Sequence, residues 1–112
     1  MNKSLEKLIA WFRTNIVEYG IDNYSEAEIE QCEHILQDYC DKLQSITAPD
    51  DKGIMECVET VVLALNELNE SCDYSFIETE EREMLWEFIQ TTAIQTGLVD
   101  YSEDITEKFR EW

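Results

Sequence analysis

One histidine, four cysteines and a large excess of carboxylates are the side chains in this chain that could do chemistry. A cysteine nucleophile needs a base in contact with it. His34 shares its helical face with Glu30, Asp38 and Asp41, while Cys32, two positions away, points elsewhere. Cys40, Cys57 and Cys72 fall on or beside apolar surfaces. Zinc asks for thiolates and imidazoles at CxxC or HxxxH spacing, and neither spacing occurs. Carboxylates one helical turn apart exist, Glu26 with Glu30 and Glu83 with Glu87, but no ExxH accompanies them as a di-metal bundle requires. The turn Asp50-Asp51-Lys52-Gly53 lacks the alternating ligands of an EF-hand loop. Three scattered glycines cannot build a phosphate-binding loop. The expectation is a protein with no catalytic residues, no metal site and no cofactor.

The elements behind these residues read as helices. The most apolar run is Ile54–Leu68, in which Ile54, Val58, Val61, Leu65 and Leu68 recur at steps of four and three and so share one helical face. Met55 and Val62 widen that stripe on one side, Cys57 and Ala64 on the other, which makes this third helix the expected centre of a bundle. A first helix spans 3–19, with Leu5, Leu8, Ile9, Phe12, Ile16 and Tyr19 inward and Gly20 as its left-handed stop. Trp11 lies at the edge of that face and Val17 nearly opposite. Ser25 and Glu28 have capping-box spacing and open a second helix that runs to about Ile46. Its inner face holds Ile29, Cys32, Ile35, Leu36, Tyr39, Leu43 and Ile46. Pro49 breaks the chain, and Asp50 or Asp51 caps the third helix.

After an aromatic loop at 71–77, Thr79 is expected to cap a fourth helix ending at Gly97, with Leu85, Phe88, Ile89, Thr92 and Thr96 inward. Asp104 and Glu107 suggest a capping box for a short fifth helix to Trp112, docked through Ile105, Phe109 and Trp112. The fold class is therefore all-α: four main helices plus a short C-terminal helix, a compact bundle in a single domain over residues 1–112. No run is long and apolar enough for a membrane span, no signal peptide is legible, and the cysteine spacing suits reduced thiols in the cytoplasm.

Charge narrows the class of partner. The net charge is -18, from 26 acidic and 8 basic side chains, more than solubility requires. With 44% hydrophobic residues the chain is still a folding sequence and not an acidic tail. Such a field repels nucleic acid and anionic membranes and speeds association with basic proteins. The first twenty residues are the one segment without excess negative charge.

Three features point to a partner-binding surface. Leu63 lies opposite the apolar stripe of its helix, in a ring of Glu56, Glu59, Glu67 and Glu70. Tyr74 and Phe76 sit in the aromatic loop that leads into the fourth helix. Glu83 and Glu87 share with Ile94 the outward side of that helix. An apolar anchor with a charged surround supplies both grip and steering.

In type, a small, strongly acidic, helical chain without a catalytic constellation resembles bacterial immunity proteins, which neutralise a toxin enzyme by binding it. The ending Asp104–Trp112 and the stretch Leu65–Glu70 also resemble small bacterial proteins. The resemblance implies an inhibitor whose partner is a basic toxin or nuclease-like enzyme, and it carries over no individual residues. The alternatives are a DNA mimic or anti-defence protein of phage type, or a structural homodimer whose acidity only keeps it soluble.

Overall fold

The computed structural model describes residues 3–20, 22 and 24–112. Its helices are α1 (Lys3–Tyr19), α2 (Glu26–Ser45), α3 (Asp51–Ser71) and α4 (Thr79–Thr96), with no strand among the described residues. The chain is an all-helical bundle, and no helix is long and apolar enough to cross a membrane.

Local groups set the starts of α2, α3 and α4 and the end of α1. At the start of α2 the Ser25 backbone N–H donates to Glu28 Oε1 at 2.7 Å, the carboxylate half of a capping box. Asp50 caps α3 by accepting the Gly53 N–H at 2.8 Å. The cap of α4 is Glu78 rather than Thr79. Glu81 reaches back to the Glu78 N–H at 3.0 Å, so the helix begins at Thr79 with a capping box one residue earlier than expected. Gly20 follows α1 with φ +64°, the left-handed stop that its position suggested.

The centre of the bundle is α2, not α3. Helix α2 packs against α1, α3 and α4, whereas α3 meets only α2 and α4 and stands diagonally across from α1. Burial of Ile29, Cys32, Leu36, Tyr39, Cys40 and Leu43 follows from this place. The Tyr39 hydroxyl, inside the core, donates to the Ile89 carbonyl of α4 at 2.7 Å and so satisfies its one polar atom. In α4, Ala93 is buried while Thr92 and Thr96 are only half-buried; both threonines turn their hydroxyls back to carbonyls one turn earlier. In α1 burial ends at Phe12, with Ile16 half-buried against the core; Tyr19, expected inward, is exposed at 66%, one turn beyond the last residue that packs on the core.

The wide apolar circumference of α3 is covered by the C-terminal segment instead of a further helix. That segment leaves α4 at Gly97 and runs along the α3–α4 groove. The Asp51 carboxylate accepts the N–H groups of Val99 and Asp100, both at 2.9 Å. Gln90 donates to the Ser102 carbonyl and accepts the Ile105 N–H. Asn66 donates to the Phe109 carbonyl at 3.0 Å and accepts the Glu111 N–H at 2.9 Å. Asp51, Met55, Val62 and Asn66 follow helical spacing on one side of α3, the side this segment lies against.

The expected fifth helix is a run of turns over 105–109. The Asp104 carboxylate binds the Thr106 N–H and hydroxyl and the Arg110 guanidinium, which closes the segment on itself, and Glu107 does not reach back to complete a capping box. A piece this short cannot nucleate a helix unaided, and its backbone is taken up by side chains of α3 and α4. It is docked as expected: Ile105 is buried, and Phe109 and Trp112 pack against the core.

Candidate protein-binding surface

The outer side of α3 presents one apolar residue among acids. Leu63 is 46% exposed, and Glu56, Glu59, Glu67 and Glu70 are all exposed around it. Helical spacing sets them there, since the other sides of α3 are taken by α2, by α4 and by the C-terminal segment. From Gly53 to Glu81 the chain carries eight carboxylates and no basic side chain. The ion pairs among the described residues are Arg13–Glu26, Lys42–Asp38 and Arg110–Asp104. None involves α3, so among the described residues its surface carboxylates form no ion pair.

Tyr74, 57% exposed, stands just past the C-terminal end of this face. The course of its loop is set by hydrogen bonds. The buried Asn69 side-chain oxygen accepts the N–H groups of Phe76 and Ile77, at 3.1 and 2.9 Å. Phe76 is not a contact residue. It is 1% exposed, stacked on Phe12 at 4.5 Å between ring centroids and met edge-on by Tyr24 at 4.8 Å. A large aromatic gains about 2 kcal/mol or more from such burial, so Phe76 closes the end of the bundle; Ile77 is buried beside it.

Glu83 and Glu87 are exposed on α4 but do not join the α3 surface. Glu83 accepts the Trp86 indole N–H at 2.9 Å. Glu87 lines a cleft of about 420 Å³ between α1 and α4, with Lys7, Met84, Phe88 and Thr91. The C-terminal segment lies between α3 and α4 and separates the two acidic sides. Ile94 remains 38% exposed. The structure therefore gathers Glu56, Glu59, Leu63, Glu67, Glu70 and Tyr74, leaves Glu83 and Glu87 apart, and removes Phe76.

The other candidate chemistry stays dispersed. His34 lies in a shallow depression on α2 beside Glu30 and Asp38. None of the four cysteines is in a disulfide. Burial pushes the Cys32 thiol up to about 12, with Glu33 adding to it, and burial also raises Cys57 and Cys72. Raised thiols stay protonated at neutral pH and are poor nucleophiles. Among the described residues no group of three histidine, cysteine, aspartate or glutamate side chains is placed to hold a metal ion.

The residues that sequence reading missed are the polar ones that set the surface: Asn66, Asn69, Gln90 and Asp51. Asn66 and Asn69 sit three apart inside the flank of an otherwise apolar stripe. A polar residue in that position implies backbone to be satisfied, which is the signal that could have found them. No protein family, curated protein or solved structure matches the chain.

Proposed function

We propose that this chain is a non-enzymatic acidic binding protein that neutralises a basic toxin or enzyme, in the manner of an immunity protein. The observation that carries this reading is Leu63, half-exposed at the middle of four glutamates that form no ion pair among the described residues. An uncompensated acidic face raises the encounter rate with a basic protein, and a central aliphatic residue supplies contact once the two meet. Its place of action is the cytoplasm, where cysteines outside any disulfide stay reduced.

Binding should be strongly salt-dependent, with the on-rate falling by about tenfold or more between low and physiological ionic strength. The test is capture of a basic enzyme from the source cell, followed by its activity assay with and without the chain. Inhibition that disappears in the Glu59→Lys/Glu67→Lys variant supports the reading. Full inhibition by that variant, or a captured enzyme that keeps its activity, sinks it.

A further inference from the structure

The chain closes two of its helices with the same hydrogen-bond pattern and fills that pattern in opposite ways. At the end of α4, the Gly97 N–H reaches the Ile94 carbonyl at 3.0 Å and the Leu98 N–H reaches the Ala93 carbonyl at 3.1 Å. At the end of α3, the Asp73 N–H reaches the Glu70 carbonyl at 3.0 Å and the Tyr74 N–H reaches the Asn69 carbonyl at 2.8 Å. Both are Schellman closures, which call for glycine at the residue with positive φ and for an apolar residue next, packed back on the helix. The α4 closure obeys: Gly97 has φ +128°, and Leu98 is buried.

The α3 closure breaks both rules. Asp73 has φ +54° where glycine is usual, and Tyr74 itself has φ +61°. A bulky side chain in left-handed backbone is strained. The ring does not recover that cost by packing, because it is 57% exposed. Asn69 holds the chain in this course through Phe76 and Ile77, whose side chains are anchored in the core. The loop thus holds a mostly exposed ring on a hydrogen-bonded backbone of unfavourable φ. Rules of local structure are broken where function requires it.

We infer that Tyr74 is a preset anchor for an arginine side chain on a basic protein partner. The occupant follows from chemistry. An exposed phenol ring on a fixed backbone offers its face without ordering cost, and a guanidinium stacks on such a face better than an ammonium. The charge flanking the ring along the chain has one sign: Glu70 and Asp73 precede it, Glu78 follows it, and no basic residue occurs from Gly53 to Glu81. The nearest cation along the chain, Arg82, is half-buried within α4. This inference rests on the basic-partner reading above and names the part of the surface that discriminates arginine from lysine.

The probes are nona-arginine and nona-lysine peptides, titrated against the full chain at low salt. The parent chain should bind the arginine peptide more tightly by roughly three- to tenfold. Tyr74→Gly should lose that preference while keeping its affinity for the lysine peptide, and its melting temperature should rise as the strain is relieved. Tyr74→Phe, which keeps the ring, should keep the preference. An unchanged preference in Tyr74→Gly overturns the inference while leaving acidic binding intact, and a lowered melting temperature assigns the ring to packing and overturns it too. If Glu59→Lys/Glu67→Lys binds both peptides as well as the parent does, the acidic-face reading falls together with it.

Discussion

The Trp11 indole nitrogen donates to the Glu81 carboxylate at 2.8 Å, joining α1 to α4 across 70 residues of sequence. Glu81 is buried, and its other oxygen accepts the Glu78 N–H, so one carboxylate both caps α4 and ties it to the first helix. Hydrogen bonds to a charged group are worth more than neutral ones, because the unpaired charge would remain desolvated. Trp11→Phe keeps an aromatic ring, smaller than the indole, and removes the donor. It should cost about 2 kcal/mol in urea unfolding, and an unchanged midpoint would show that water replaces the indole.

The C-terminal segment should detach from α3 when its polar anchor is removed. Asn66→Ala leaves the Phe109 carbonyl and the Glu111 N–H without their partner. Amide exchange at Glu111 should accelerate by about tenfold or more, with Ile77, held by Asn69, unaffected. Equal acceleration at both sites would mean that the whole bundle had loosened.

Leu63 and Leu65 lie two residues apart and should behave oppositely. Leu65 is fully buried, so Leu65→Ala should cost about 2–5 kcal/mol. Leu63 faces outward, and Leu63→Asn should stay within about 0.5 kcal/mol of the parent. A large loss at Leu63 would place that side chain in the core and remove it from the binding surface.

Alkaline pH should unfold the chain through its buried acids. Burial raises Cys32 from 9.0 to about 12 and raises Tyr39 above its ordinary 10.0. Between these limits the unfolded chain binds fewer protons than the folded one, so stability falls as pH rises. For Cys32 the contribution is complete below pH 9.0 and is lost by about pH 12. Cys32→Ala should flatten the decline of stability over that window. Parallel curves for variant and parent would refute the assignment.

The net charge of -18 should make the fold salt-sensitive in the unusual direction. Self-repulsion within an acidic surface is screened by added ions. The melting temperature should therefore climb between about 20 and 500 mM sodium chloride, as the Debye length falls well below the spacing of surface charges. A flat profile would mean that the carboxylates already have effective compensation.

The sequence determined what depends on neighbours within a turn or two. The four helices, the Ser25–Glu28 cap, a cap at Asp50 or Asp51, the stop at Gly20 and the outward placement of Leu63 with its glutamates all follow from local sequence and spacing at 3.6 residues per turn. Tertiary structure decided what depends on partners distant in the chain. Periodicity shows how much of α3 is apolar but not what covers it, so α3 looked central although α2 holds that place and the C-terminal segment fills the gap. Phe76 and Tyr74, two residues apart in one aromatic loop, carry the same hydrophobic signal. Only the buried oxygen of Asn69 and the ring of Phe12 decide that one goes inward and the other stays in solvent. A loop's backbone follows the groups that satisfy its hydrogen bonds, and those groups lie outside the loop.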